Sequence, residues 1–302
     1  MIEENIVFVL GAGASRDYGF PLGFELVQSV ISKLARDTDT RKRFVDLTGC
    51  SEEEVSEFTY ALNTSAQNSV DAFLEHRRGF MRVGKAAMAY CLIECELPDK
   101  LYRERDPTGN WLRYLLAQMR SDTFEEFANN KVAFITFNYD RCLEYFLCTA
   151  LAASFGKTEE ESANVLKKIR IIHVHGQLGY LPAWGEKNSR PFWLVPDVDM
   201  LRMCIEEIKV MHEGADVVTP EYEKARTLLG GANRVYFMGI GFNSLNLERL
   251  AIKSLKDDVA YATGRGLNGN ETGRLQSQFG RKLHIFQNCD CLTMLRQHVN
   301  WN

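Results

Sequence analysis

The sequence predicts an α/β protein with a doubly wound, Rossmann-like and mostly parallel sheet that carries a helical insertion. The first observation is a set of short apolar runs bounded by turn residues, which have the length and composition of buried parallel strands. These runs occupy residues 5–10, 131–136, 169–174, 234–239 and 282–287. The second observation is that most runs are followed by a polar or glycine-bearing turn and then by helical periodicity, which is the alternation of a doubly wound sheet.

The third observation is the long interval between the first two runs, at about residues 24–130, whose pattern is mainly helical. Within it, residues 68–96 are predicted to form a helix with one apolar face of 3.6-residue period. That face consists of Val70, Phe73, Leu74, Met81, Met88, Leu92 and Cys95. Since the chain has no long linker rich in Pro, Gly or Ser, we expect the insertion to pack against the sheet and residues 1–302 to form one domain.

Composition and charge limit the classes of partner. The chain has 302 residues, 45% of them hydrophobic and 25% charged, which is typical of a globular protein with a packed core. Its net charge of −4 gives no general attraction to phosphate backbones or anionic lipid, so we expect neither direct nucleic-acid binding nor membrane association. No apolar run approaches the roughly 20 residues that span a bilayer, and the N-terminal residues lack the basic leader of a signal peptide, which predicts a cytoplasmic protein.

Cysteine and histidine spacings do not predict a metal site. The eight cysteines form no Cys-x-x-Cys pair and have no regular spacing, unlike those of a zinc ribbon or a disulfide framework. Cys91 and Cys95 are one helical turn apart and are interpreted as core residues. His173 and His175 would share one side of a strand, but no third ligand is evident, so we expect no metal.

The first predicted strand ends in the turn Gly-Ala-Gly-Ala-Ser, residues 11–15. Gly11 and Gly13 allow a tight turn and close approach of a diphosphate, and a helix beginning near Ser15 would direct its free N–H groups at that charge. A dehydrogenase fingerprint would need a third glycine where Arg16 stands, and an acidic residue at the end of a second strand about 20 residues later. Taken alone, the motif leaves both a nucleotide site and a bare turn open.

Polar side chains also follow the second and third predicted strands. The stretch VAFITFNYD brings Asn138 and Asp140 to a strand end, and IRIIHVHG does the same for His175. The carboxyl ends of the strands are where doubly wound folds bind ligands. Structural roles are open as well: Asn138 could cap the following helix, Asp140 could complement its dipole, and His173 and His175 could each be a core residue.

Four motifs, taken in their order along the chain, resemble those of the sirtuin-like superfamily. The resemblance is in particular to the bacterial sirtuin-like NAD hydrolases that act as effectors of antiphage defence. GAGAS followed by GFP looks like the phosphate turn and the start of the cofactor loop, TFNYD like the Thr-x-Asn-x-Asp strand end, and HVHG like the catalytic His-Gly. VYFMGIGFN (235–243) and IFQNCD (285–290) resemble the later strands that hold the ribose and adenine.

Two departures separate the chain from the protein deacylases of that superfamily. Pro21 is followed by Leu22, Gly23 and Phe24 instead of an Asp-Phe-Arg stretch, and the paired Cys-x-x-Cys module is missing. Both features belong to the handling of peptide substrates, so the resemblance favours the hydrolase branch. It implies NAD+ as the substrate and release of nicotinamide and ADP-ribose.

The resemblance also implies roles for individual residues. His175 would be the general base toward water or a ribose hydroxyl, and Asn138 would orient the water and the ribose. Asp140 would contact the nicotinamide amide or fix the loop. The diphosphate would be held by Gly11, Ala12, Gly13 and Ser15, and the adenosine half by Gly239, Asn243 and Asn288. For Asn243 and Asn288 a role as turn formers is equally open.

Two other function classes stay open: a deacylase or ADP-ribosyltransferase that passes the same ribosyl cation to an acceptor, and a non-catalytic module that senses NAD or a related nucleotide. Missing peptide-groove features count against the first, and retention of Asn138 and His175 counts against the second. An enzyme that depletes NAD+ has to be controlled, and the chain has no room for a sensor domain. We therefore expect a homo-oligomer, a separate sensor protein such as an ATPase or nucleic-acid-guided partner, or both.

Overall fold

The chain forms a six-stranded, all-parallel sheet in a computed structural model that describes residues 1–102, 110–193, 195–210 and 219–301. In chain order the strands are β1 Ile6–Leu10, β2 Val132–Thr136, β3 Arg170–His173, β4 Arg234–Met238, β5 Ala260–Gly264 and β6 His284–Gln287. Their order across the sheet is β3-β2-β1-β4-β5-β6. The predicted fold class, a doubly wound α/β sheet with a helical insertion, is confirmed.

The order in which the chain adds strands to the sheet reverses at β1. It pairs with β2 on one side, where Ile6 lies opposite Val132, and with β4 on the other, where Ile6 lies opposite Arg234. The chain builds outward from β1 to β3 and then returns to β4, so the loops after β1 and β4 leave the sheet side by side. Such a switch point is the usual ligand site of a doubly wound sheet.

The described residues contain fifteen α-helices. They are α1 Ala12–Ser15, α2 Gly23–Ile31, α3 Thr38–Thr48, α4 Glu52–Thr64, α5 Val70–His76, α6 Met81–Ile93, α7 Pro98–Tyr102, α8 Trp111–Gln118, α9 Cys142–Phe155, α10 Glu159–Leu166, α11 Val198–Glu207, α12 Pro220–Gly230, α13 Ser244–Arg249, α14 Gly269–Phe279 and α15 Cys291–Gln297. Helices α2 to α8 lie between β1 and β2 in the chain and form the predicted insertion.

Both faces of the sheet are covered, which explains why its central strands are apolar at nearly every position. Alternate residues of β1 point to opposite faces. Phe8 belongs to a large core that includes residues of the insertion, whereas Val9 belongs to a smaller core with residues of α12, α13 and α14. The insertion therefore packs on the sheet directly. Of the helices within the described residues, none is long and apolar enough to cross a membrane.

Three expectations about individual elements were wrong. Strand β5 was missed, although Val259–Thr263 is an apolar run of strand length. The helix predicted at 68–96 is two helices, α5 and α6, separated at Arg77, whose guanidinium packs over the rings of Phe73 and Phe80. Strand β3 ends at His173, so His175 lies beyond the strand and does not share a strand face with it.

Candidate active site

The glycines of the turn after β1 are required by contact with the loop after β4. The Gly11 N–H donates to the Met238 carbonyl at 3.0 Å, and the Gly13 N–H donates to the Gly239 carbonyl at 2.9 Å. A Cβ atom on Gly11 would lie 2.7 Å from the Gly239 carbonyl oxygen, and one on Gly239, whose φ is +64°, would lie 2.2 Å from the Ala14 nitrogen. These two amides therefore join the loops, while the Ala12 N–H takes no part in that contact.

Asn138 connects the end of β2 to this turn. Its Nδ2 donates to the Gly11 carbonyl at 2.9 Å and to the Ser15 hydroxyl at 3.0 Å. The alternative role of Asn138 as a helix cap does not apply, because α9 begins at Cys142 and its first N–H donates to Asp140 at 3.1 Å. Asn138 thus holds the end of β2 against the Gly11–Ser15 turn.

Asp140 lies beside the same turn and also serves the start of α9. Burial raises the pKa of its carboxyl group, although hydrogen bonds with the Ser15 hydroxyl and Cys142 favour the ionised form. Ser15, Asn138 and Asp140 border one cavity of about 10 Å³. A space of that size accommodates no more than one water molecule.

The helical insertion provides one wall of this cavity. Trp111, at the start of α8, lines it, and the Trp111 indole N–H donates to the Ala14 carbonyl at 2.8 Å. The indole is almost fully buried. A substrate that reaches Asn138 therefore needs the insertion or the turn to move.

His173 forms a buried ion pair behind Asn138. Its Nδ1 lies 2.9 Å from the Asn138 carbonyl oxygen and its Nε2 lies 2.5 Å from Glu144 Oε1. Both partners are oxygens that can accept, an arrangement that favours the doubly protonated imidazole. Burial alone would lower the pKa of His173, but the charge and hydrogen bond of Glu144 outweigh it, and the pKa is raised above its usual 6.5. Glu144 was not among the predicted site residues.

Replacing Glu144 with glutamine is expected to lower the pKa of His173, because the opposing charge is removed while burial stays. In the unchanged protein the folded-state pKa exceeds that of the unfolded chain, so the pair stabilises the fold fully below about pH 6.5 and loses this effect as the pH rises through the raised pKa. NMR titration of the imidazole measures the pKa, and urea unfolding at about pH 6 and about pH 9 measures the stability. An unchanged pKa in the Glu144→Gln variant would contradict this account.

His175 occupies a separate environment beyond the end of β3. Its Nε2 lies 3.0 Å from the Tyr222 hydroxyl, and that hydroxyl donates to Asn246 Oδ1 at 3.2 Å. The Tyr222 hydroxyl donates its proton to Asn246, so its oxygen is available to accept from His175 Nε2–H. The rings of Phe137 and Tyr139 lie 5.5 and 6.5 Å from the imidazole.

Gly176, which follows His175, is required by a close backbone contact. Gly176 has a φ of +70°, and a Cβ atom there would lie 1.8 Å from the Glu207 carbonyl oxygen. The His-Gly pair thus fixes the chain between β3 and the end of α11. The Asn138 side chain contacts the Gly11–Ser15 turn, whereas His175 Nε2 contacts the Tyr222 hydroxyl.

The residues predicted for the adenosine half are spread along the sheet edge. Gly239 contacts the turn after β1, as described above. Asn243 is exposed and caps α13, with its Oδ1 accepting from the N–H groups of Leu245 and Asn246. Asn288 is exposed, adopts a left-handed conformation with φ +56°, and follows β6, which lies three strands from β1, or about 14 Å. Both asparagines act as turn or cap residues in this structure.

The strand order and the loop contact at the switch point define a Rossmann-like α/β protein. No protein-family model matches the chain, and no curated protein matches it. In the part of the chain that the structure describes, no group of three or more His, Cys, Asp or Glu side chains is arranged to hold a metal ion.

Proposed function

We propose that this chain cleaves the bond between nicotinamide and ribose in NAD+, releasing nicotinamide and ADP-ribose. The observation that carries the proposal is the attachment of Asn138 to the Gly11 carbonyl and the Ser15 hydroxyl, directly beside the switch point of the sheet. The strand order is the one found in dinucleotide-binding folds. The resemblance to sirtuin-like hydrolases supports the choice of NAD+ over other dinucleotides.

Cleavage of this bond creates positive charge on the ribose, so the protein has to position the substrate and deliver water. The Asn138 Nδ2 is engaged by the turn, which orients its Oδ1 as the group available to water or a ribose hydroxyl. His175 is the proposed base, and its Nε2 lies beside the Tyr222 hydroxyl. Buried Asp140 and Ser15 complete the polar surface next to Asn138.

The direct experiment is to incubate the purified chain with NAD+ and to follow free nicotinamide by chromatography, with and without a metal chelator. We expect cleavage that the chelator leaves unchanged, because the proposed residues act without a metal. Loss of activity on chelation would contradict the metal-free mechanism. NAD+ binding without any release of nicotinamide under activating conditions would instead favour a sensing module.

The closed cavity beside Asn138 supports control of this activity by assembly. A space of about 10 Å³ cannot admit the nicotinamide riboside half of NAD+, so the competent state has to differ from this one. We propose that a second copy of the chain or a separate sensor protein stabilises the open state by binding it more tightly. This arrangement fits an NAD+-depleting effector of bacterial antiphage defence.

Replacing Trp111 with alanine is expected to raise the NAD+ cleavage rate of the isolated chain, because it removes one wall of the cavity and the hydrogen bond to the Ala14 carbonyl. Turnover of the unchanged chain should be low when dilute and rise with chain concentration or an added partner. The exposed Trp193 offers a matched control, since Trp193→Ala should leave turnover as it is. Full, concentration-independent activity of the unchanged monomer would contradict control by assembly.

A further inference from the structure

A second and much larger cavity lies along the free edge of β3. Its volume is about 480 Å³, within the roughly 300–1,000 Å³ typical of small-molecule sites. The cavity is bordered by β3 and by residues from α10, α12 and the segment after β3, and its apolar wall includes Leu166, Leu181, Trp184 and Leu228. None of the roles proposed above for NAD+ cleavage uses this space.

The rim of this β3-edge cavity is positively charged. Lys167, Arg170 and Lys224 line it, all three are exposed, and none forms a salt bridge with a described residue. Among the lining residues that the structure describes, Glu144 is the one carboxylate, and it is already paired with His173. Within this part of the chain the three cations therefore have no compensating carboxylate at the cavity, and they attract an anion.

A buried network adds to this positive charge from below. Arg141 lines the cavity and shares the carboxylate of Glu96 with Arg190, at N–O distances of 2.8 and 2.7 Å. Two guanidinium groups against one carboxylate leave an excess positive charge in a region where water screens it little. Both the exposed rim cations and the buried Arg141 therefore favour binding of an anion.

The edge of β3 supplies a backbone donor and argues against an added strand. The Val174 N–H bonds to the Thr136 carbonyl of β2, so by alternation the N–H and C=O groups of Ile171 point away from β2. The His173 carbonyl is already used by the Gly176 N–H at 3.3 Å. Ile171 alone offers both a free N–H and a free C=O group, and one such residue is too few to pair with an added peptide strand. A single N–H can still donate a hydrogen bond to a bound carboxylate.

We propose that the β3-edge cavity binds a small organic anion with a flat apolar body. The apolar body lies against Trp184 and Leu228, and the acidic group faces Lys167, Arg170 and Lys224. Neither Asn138 nor His175 lines the cavity, so anion binding can be measured apart from the proposed NAD+ cleavage.

Isothermal titration calorimetry on the full chain tests the charge preference with two matched probes, naphthalene-2-carboxylate and the uncharged naphthalene-2-carboxamide. We expect the carboxylate to bind about tenfold more tightly and to weaken as the salt concentration rises, because the rim cations are exposed. Equal affinity of the two probes, no heat from the carboxylate at millimolar concentration, or an affinity insensitive to salt would each overturn the proposal.

Variants locate the binding. Lys224→Glu should weaken carboxylate binding about tenfold, whereas Lys256→Glu, an equally large charge change at an exposed lysine outside the cavity, should leave it within about twofold. Thr227→Trp should weaken binding of both probes by occupying part of the space, and melting curves check that each variant folds. Equal effects of the Lys224 and Lys256 changes, or unchanged binding in the Thr227→Trp variant, would overturn the location.

Discussion

Replacing Asn138 with alanine is expected to lower the rate of NAD+ cleavage by about 10²–10³, the usual cost of removing one fixed polar group that orients a reaction. Replacing His175 with alanine should cost about 10²–10⁴, the contribution of a general base. Both changes remove a side chain from the carboxyl end of the sheet. The measurement is nicotinamide release by purified protein at saturating NAD+, under the conditions in which the unchanged chain is active.

Matched controls separate chemistry from folding. Asn268→Ala removes an exposed helix cap of α14, and His284→Ala removes a half-buried histidine paired with Asp258, so both should retain turnover. Near-normal turnover in the Asn138→Ala or His175→Ala variant would contradict the assigned roles. His173→Ala should be milder than His175→Ala. If it proved the more damaging change, the base would be His173, whose imidazole also contacts the Asn138 carbonyl.

Most strands could be predicted because a strand that is buried on both faces of the sheet is a short run of apolar residues in the sequence. A central parallel strand such as β1 is apolar at every position, and a turn with glycines at the switch point follows from the close approach of two loops. The same logic placed Asn138 next to Gly11, because the carboxyl ends of adjacent parallel strands meet at one edge. Strand β5 was missed although it is as long as β1 and is bounded by charged residues and glycine.

The partners of the site residues could not be predicted, because they are set by tertiary packing over long sequence separations. Trp111 reaches Ala14 across 97 residues, and Tyr222 reaches His175 across 47. No local pattern marks such pairs. Whether His173 and His175 point to the same side depends on where β3 ends. The strand ends at His173, one or two residues earlier than the sequence indicates, so His175 lies outside it.

The network around Glu96 is the most concentrated electrostatic feature of the core. Its carboxylate is fully buried and accepts from Arg141 Nε at 2.9 Å, from Arg141 Nη2 at 2.8 Å and from Arg190 Nη1 at 2.7 Å. The two arginines in turn donate to carbonyls of Leu178 and Tyr180. The segment after β3 is therefore attached to the end of α6 and the start of α9 through one carboxylate.

Glu96→Gln is expected to destabilise the fold by about 3–5 kcal/mol, because it leaves two buried guanidinium groups without a counter-charge. Glu94→Gln, two residues earlier, breaks a partly exposed pair with Lys33 and should cost less than about 1 kcal/mol. Urea unfolding followed by circular dichroism gives both free energies of unfolding on the same scale. Similar small losses in the two variants would mean that water or rearranged side chains compensate the arginines. In that case the Glu96 network does not hold the segment after β3 in place.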